Sequence, residues 1–247
     1  KRVQHLWLRV GYLLALFFVM LAAQLSMGTP ETGASLAVLA KNSSRVFEAI
    51  SLLQLGMICL LAPVFTASAI SQEKDAETFN VLLTTPLTNA QIVLGSLLSR
   101  LFFVVVLLIS GLPVFCITML YGGVTSDQIF MSFGIAACTA LLTGALAIFI
   151  SVVQIGTRTT VFSFYALIGL YLLAGILGLW PRTYVHESIP QGGNGGMTWL
   201  APFHPVWAQL VALKSVRPPD APMVAGYMWP INRMLSAPQT AYMIMTF

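Results

Sequence analysis

The sequence SQEKDAETFNVLLTTPLTNAQ, residues 71–91, forms a polar island between two long apolar runs. Of the 12 basic and 8 acidic residues in the chain, four lie close together here, at Glu73, Lys74, Asp75 and Glu77. The runs on either side carry almost no charge. A polar, helix-prone segment between two membrane spans predicts a contact surface for another protein that acts from outside the bilayer.

The overall composition predicts an integral membrane protein. Hydrophobic residues make up 57% of the 247-residue chain and charged residues only 8%, and the mean hydropathy is +0.86. Soluble domains carry about 25% charged residues, because a surface in water needs them. The apolar segments follow each other closely, so residues 1–247 are predicted to form a single transmembrane domain. The net charge of +4 comes from scattered basic residues, which favours contact with anionic lipid headgroups and not with nucleic acid.

The apolar runs predict an all-α fold, a polytopic membrane bundle of about six transmembrane helices. A transmembrane helix needs about 20 mainly apolar residues. Five spans are predicted at residues 6–27, 47–70, 92–121, 129–155 and 160–180, and a sixth is expected to begin within 238–247 and to continue beyond the end of the sequence. The start of the chain combines basic and apolar residues, which predicts an N-terminal interfacial helix. Glu48 is expected in the first turn of the second span, where the helix dipole tolerates an anion.

The stretch from 181 to 235 differs from the spans. It holds most of the prolines, the tract QGGNGGM, and a shorter apolar segment, Trp199 to Leu213. That segment is too short to span and too apolar for a free loop, so an outer re-entrant or interfacial helix is predicted. A separate domain after Trp180 is the alternative, which the many prolines disfavour because they make a poor core.

The distribution of basic residues predicts the orientation of the chain. Within the first 180 residues six basic side chains fall on one side of the predicted spans: Lys1, Arg2, Arg9, Lys74, Arg100 and Arg158. Only Lys41 and Arg45 fall on the other side. The positive-inside rule therefore places the N-terminus and the polar island, residues 71–91, in the cytoplasm.

Two helix starts carry the same capping signature. Thr88 is followed three residues later by Gln91, and Thr125 by Gln128. A threonine at the N-cap and a glutamine three residues on can exchange hydrogen bonds with each other's backbone N–H groups. These pairs predict where the third and fourth spans begin.

Several functional classes find little support in the sequence. It contains no GxxxxGK[ST], so no P-loop for ATP is predicted, and neither HExxH nor GxSxG occurs. Residues 101–126 and 129–157 carry no charged side chain, which disfavours an ion-coupled secondary transporter. Cys59, Cys116 and Cys138 lie in different apolar runs, which favours a role as small hydrophobes over a disulfide or a metal site. No cofactor or metal is predicted for this chain.

A short helix is predicted within residues 72–86. It is expected to end before Pro86, because proline disfavours helical backbone at the residue that precedes it. Phe79 and Leu83 are four residues apart, as are Thr78 and Leu82, which places an apolar patch on one helix face. Such a helix, joined to two spans, would transmit a push from a cytoplasmic partner. An ordinary polar loop with incidental helicity remains the alternative at this point.

The stretch ISQEKDAETFNVLLTTPLTNAQIVLGSLL, residues 70–98, resembles the signature of type-2 ABC exporter permeases, the ABC-2 membrane family. The positions that agree with the family pattern in order and spacing are Glu73, Thr78, Leu82, Leu83, Pro86, Ile92 and Gly95. Two positions depart from it, since Glu77 stands where the family has glycine and Ser96 where it has lysine. These departures concern helix geometry and one surface charge.

The resemblance implies the permease subunit of an ATP-driven exporter in a bacterial cytoplasmic membrane. It implies a second permease subunit, identical or related, and a separate ABC ATPase that binds ATP and Mg²⁺, so that this chain is not itself an enzyme. The residues that would dock the ATPase and couple it to the spans are Glu73, Glu77, Thr78, Phe79, Leu82, Leu83 and Pro86. A structural or assembly subunit of a larger membrane complex is the alternative function. The apolar, uncharged spans favour a lipid or another amphipathic molecule as cargo.

Overall fold

The computed structural model describes residues 2–26, 36–75, 89–120, 122–153, 157–177, 201–215, 218 and 228–246. Within these ranges the regular structure is helical throughout, without a strand. The all-α membrane bundle predicted from the composition is therefore confirmed.

Eight α-helices and one short 3₁₀ turn account for most of the described residues. They are α1 (Arg2–Ser26), α2 (Leu36–Asp75), α3 (Asn89–Leu120), α4 (Ser126–Val153), α5 (Thr157–Leu177), the 3₁₀ turn Ala201–Phe203, α6 (Pro205–Ala212), α7 (Ile231–Ser236) and α8 (Pro238–Thr246). The first five contain the described residues of the five predicted spans at 6–180, and the remaining elements lie within 201–246.

Four helices of the described chain are long and apolar enough to cross a membrane. These stretches are Leu6–Ser26, Val38–Ala62, Leu101–Leu120 and Ser126–Ser151, and a shorter apolar helical stretch covers Val161–Leu173. Large apolar side chains such as Phe18, Phe102 and Phe130 are exposed, as contact with lipid tails requires. The total of about six spans stays a prediction.

Helix α2 begins earlier than the sequence predicts. The second span was expected to begin at residue 47, whereas the helix starts at Leu36, so Glu48 lies about three turns inside α2 and not in its first turn. The physical reason is tertiary. Ser43 is buried, and its Oγ donates a hydrogen bond to the Thr118 carbonyl oxygen over 2.7 Å, so a polar residue is accommodated within the packed helix.

The chain divides into two compact units, each with its own core. The first comprises Lys1–Gly56, Leu107–Ala136 and Pro181–Phe247. Its core contains three aromatic rings in edge-to-face contact: Phe115 lies 5.7 Å from Phe47 and 5.0 Å from Phe133, measured between ring centroids. Such pairs stabilise a core by about 0.5–1.5 kcal/mol beyond the area that they bury.

The second unit comprises Met57–Val106 and Ala137–Trp180. Its core is a cluster of Ala147, Phe164 and Ile168 from α4 and α5, against which partly buried aliphatic residues pack. The Tyr165 hydroxyl donates a hydrogen bond to the Leu60 carbonyl oxygen over 2.5 Å, which ties α5 to α2 within this unit.

Helices α3 and α4 are joined by a turn that contains two consecutive glycines. Gly122 and Gly123 have φ angles of +80° and +81°, a region that side chains with a Cβ rarely adopt. The Gly122 N–H donates to the Met119 carbonyl oxygen over 3.0 Å, which ends α3. The backbone of Ala40 in α2 lies directly against Gly123. The turn is therefore also a contact between α2 and the end of α3.

A second glycine allows α1 and α3 to approach each other closely. A Cβ on Gly111 would lie 2.8 Å from the Tyr12 hydroxyl oxygen and 3.2 Å from a Leu16 methyl carbon. Both side chains are buried. Small residues at helix contacts serve this purpose in membrane bundles, where close packing of the helices drives their association.

Gly111→Leu is expected to lower the stability of the first unit by about 1–3 kcal/mol, because the new side chain overpacks the contact with Tyr12 and Leu16. The measurement is the midpoint of thermal unfolding in detergent. Gly11→Ala is the control, since no atom lies within 4 Å of a Cβ at Gly11 in α1. An unchanged midpoint for Gly111→Leu would show that α1 does not pack at this glycine.

Candidate functional site

The polar island begins as the last turns of α2. The helix continues to Asp75, so Glu73 is helical and lies about three turns beyond Ala62, the end of the apolar stretch. The other predicted coupling residues lie outside the described residues, namely Glu77, Thr78, Phe79, Leu82, Leu83 and Pro86. The roles of these residues in coupling stay predictions.

On the far side of the island, α3 begins at Asn89. Gln91 is exposed in the first turn of this helix, while Thr88, its predicted capping partner, lies outside the described residues. Leu94, Leu98 and Phe102 follow at spacings of four and form an exposed apolar stripe on α3. The polar island is thus bounded by two helices that enter apolar spans.

Helix α2 connects the polar island to an apolar stretch of membrane-spanning length. It runs from Leu36 to Asp75, so Glu73 and the stretch Val38–Ala62 belong to one helix. Pro63, directly after that stretch, has no backbone N–H and donates no hydrogen bond within the helix.

The start of α4 shows the reciprocal hydrogen bonds of a capping box. The Thr125 backbone N–H donates to Gln128 Oε1 over 3.0 Å, and the Gln128 backbone N–H donates to Thr125 Oγ1 over 3.4 Å. Two N–H groups that the first helical turn leaves without backbone acceptors are thereby satisfied. Asp127 is exposed in the same turn, where a negative charge interacts favourably with the helix dipole.

Gln128 also contacts a helix that lies within the proline-rich stretch 181–235. Its Nε2 donates to the carbonyl oxygen of Leu213, the residue that ends α6, over 3.4 Å. One turn further along α4, Ser132 Oγ accepts a 2.5 Å hydrogen bond from Gln209 Nε2 in α6. Gln128, Ser132 and Gln209 are all buried. The apolar segment predicted at 199–213 therefore contains a helix that is fastened to α4 by side-chain hydrogen bonds.

The sequence pattern did not predict that Ser132 and Gln209 are hydrogen-bond partners. A signal existed, because Gln209 is a polar residue inside an otherwise apolar segment and Ser132 lies four residues after Gln128, on the same face of α4. The sequence did not show that Gln209 and Ser132 contact each other, because 77 positions separate them.

Gln128→Leu is expected to destabilise the protein by about 2–3 kcal/mol, because it removes a helix cap and the hydrogen bond to Leu213 together. Thermal unfolding in detergent measures the change. Thr125→Ser is the matched control, since serine keeps the capping hydroxyl and is expected to shift the unfolding midpoint little. Equal midpoints for Gln128→Leu and the native protein would contradict the contact between α4 and α6.

The described residues contain no group of three or more His, Cys, Asp or Glu side chains that could hold a metal ion. The three cysteines are free thiols, with Cys59 and Cys138 buried and Cys116 exposed. The geometry of the described residues is that of a helical membrane bundle with a polar segment between two of its spans.

Comparison with protein families matches residues 1–218 to the ABC-2 family transporter proteins. The match includes the polar island and all four apolar stretches of membrane-spanning length. No curated protein and no solved structure matches the chain. The family predicted from the residues around the polar island is confirmed, and permeases of this family associate with ABC ATPases in general. The chain is a member of the ABC-2 family of transporter proteins, and its membrane bundle is the permease of an ABC transporter.

Proposed function

We propose that this chain is the permease subunit of an ATP-driven exporter and that a separate cytoplasmic ATPase drives it through residues 72–86. The observation that carries the proposal is the extent of α2. One helix, Leu36–Asp75, contains both an apolar stretch of membrane-spanning length and the first residues of the polar island. The family match supports the same arrangement because it includes the island.

In this mechanism the ATPase binds the polar island and the permease performs no covalent chemistry. ATP and Mg²⁺ bind to the ATPase, and closure of its two nucleotide-binding subunits pushes on the end of α2 near Glu73. Because α2 continues into the apolar stretch, the push alters the packing of the spans and shifts the permease between inward-open and outward-open states. A second permease subunit, identical or related, completes the pathway.

The orientation follows from the distribution of basic residues in the sequence. The N-terminus, the polar island and the start of α5 at Arg158 face the cytoplasm, and the segment 181–235, which contains α6, faces outward. A bacterial cytoplasmic membrane is the proposed location. The ATPase then has access to the polar island from the compartment that contains ATP.

The test is purification of the chain from native membranes in mild detergent, with mass spectrometry of the proteins that copurify in stoichiometric amount. A companion with a P-loop sequence is the expected result. A set of stoichiometric companions that includes no P-loop protein would contradict the proposal and would favour a structural or assembly subunit of a larger membrane complex.

A further inference from the structure

Three buried polar side chains in the first unit stand out because nothing in the described chain pairs with them. Tyr12 in α1 and Ser51 and Gln54 in α2 are each only 1% exposed. Among the described residues, no hydrogen-bond partner reaches the Tyr12 hydroxyl, the Ser51 hydroxyl or either polar atom of the Gln54 amide. A buried polar group without a partner destabilises the fold, most of all inside a membrane where water does not compensate.

The contacts between α2 and α3 place these groups at similar depths. Ser43 donates a hydrogen bond to Thr118, and the ring of Phe47 contacts that of Phe115. The two helices are therefore antiparallel here, and each turn towards the C-terminus of α2 lies beside the preceding turn of α3. The next step in this antiparallel register brings Ser51 to the depth of Gly111.

The Tyr12 hydroxyl lies at that same depth, since a Cβ on Gly111 would be 2.8 Å from its oxygen. Gln54 follows Ser51 by about one turn. The register therefore places two hydroxyl groups and one amide at similar depths along α1, α2 and α3, next to Gly111, which adds no side chain of its own.

Two other buried polar side chains on α2 and α3 are paired. Ser43, two turns before Ser51 on the same helix, donates to the Thr118 carbonyl oxygen, and Thr118 Oγ1 donates to the Phe115 carbonyl oxygen over 2.7 Å. Serine and threonine side chains can thus be satisfied by backbone oxygens in this bundle. The layer of Tyr12, Ser51 and Gln54 keeps its donors and acceptors available.

We propose that Tyr12, Ser51 and Gln54 form an internal site that hydrogen-bonds an uncharged polar group, a hydroxyl or an amide, of the molecule that the permease moves. The inference rests on the transport function proposed above. The three side chains offer both donors and acceptors but no charge, so they complement a neutral group and not an ion. Water offers the same hydrogen-bonding chemistry and occupies the site between transport events.

The test measures the reactivity of a cysteine placed in this layer. Cys59, Cys116 and Cys138 are replaced by alanine, and Ser51→Cys is compared with Leu55→Cys, an equally buried apolar position one turn further along α2. Both variants are treated in membrane vesicles with methyl methanethiosulfonate, a small uncharged reagent. A thiol reacts as the thiolate, which forms only where polar groups or water stabilise it, so Ser51→Cys is expected to react about tenfold faster.

A second arm separates cargo from water. The vesicles are treated with 1-dodecanol or with dodecane at the same concentration before the reagent is added. Dodecanol is expected to slow the reaction of Ser51→Cys with the reagent, whereas dodecane is not. Adding the Gln54→Leu substitution is expected to abolish this protection by dodecanol. Tyr12→Phe provides a second variant that removes only one hydroxyl and should weaken the protection.

Two results would overturn the proposal. If Ser51→Cys reacts no faster than Leu55→Cys, the layer is dry and binds no polar group. If dodecanol and dodecane have the same effect, the site holds water alone. No ATPase is present in this experiment, so its failure would leave the proposed coupling through residues 72–86 intact. The absence of an ATPase partner would instead remove the transport function on which the cargo assignment rests, while the reactivity of Ser51→Cys would be unchanged.

Discussion

Gly123→Ala is expected to prevent the folded protein from accumulating in the membrane. Alanine at this position would have to adopt a φ of +81°, and its methyl group would lie against the backbone of Ala40, 2.7 Å from the carbonyl carbon and 2.9 Å from Cα. A flexible side chain could move aside, but the backbone of α2 moves only if the helix is displaced. The two effects together are expected to cost more than about 4 kcal/mol, which exceeds the usual effect of one substitution.

The neighbouring glycine provides a matched control. Gly122 has nearly the same φ, +80°, but no atom lies within 4 Å of a Cβ built on it. Gly122→Ala therefore carries only the conformational cost, about 1–2 kcal/mol, and the protein is expected to fold with a lowered midpoint of thermal unfolding. The amount of each variant in the membrane fraction and its unfolding midpoint in detergent are measured side by side. Similar losses for both variants would show that the contact with Ala40 is unimportant.

Glu73→Ala is expected to uncouple ATP hydrolysis from transport. Under the proposed function, Glu73 lies on the turn of α2 that receives the push of the ATPase, beyond the apolar stretch that ends at Ala62. Loss of a coupling contact of about 1–3 kcal/mol corresponds to a fall in transport per ATP hydrolysed of about 5- to 150-fold. The measurement compares ATP hydrolysis with ATP-driven transport by the purified complex in liposomes.

The control for this prediction is Asp127→Ala, which removes an exposed acidic residue from the first turn of another helix, α4. Because Asp127 lies outside the polar island, coupling is expected to persist. Thermal unfolding of both variants is measured as well, and that of Asp127→Ala should remain close to that of the native chain because Asp127 is exposed. Normal coupling in Glu73→Ala would remove this residue from the proposed mechanism.

Local sequence signals were most informative where a structure depends on neighbouring residues. The hydrogen bonds between Thr125 and Gln128 join positions only three apart, so the capping pattern is visible in the sequence itself. The same holds for the apolar runs, because about 20 consecutive apolar residues are sufficient to indicate a span. The roles of residues 76–88 in coupling could be predicted from the resemblance alone, and these residues lie outside the described part of the chain.

The beginning of α2 shows where local signals fail. Lys41, Asn42, Ser43 and Ser44 make the sequence polar, so the second span was predicted to begin only at residue 47, but these residues are helical. The hydroxyl of Ser43 is satisfied by a carbonyl oxygen 75 positions away. No window of neighbouring residues contains that partner, and helix propensity alone is a weak guide when tertiary contacts oppose it.

The sequence by itself determined that the chain is an all-α membrane protein of the ABC-2 family, because low charge, long apolar runs and the polar island are properties of contiguous residues. Only the tertiary structure decided which polar groups are paired. Gln209 meets Ser132 and Gln128 meets Leu213 across 77 and 85 positions, while Gln54 meets no described partner. Whether a buried polar group is satisfied depends on the helices packed around it, and that packing is a property of the folded chain.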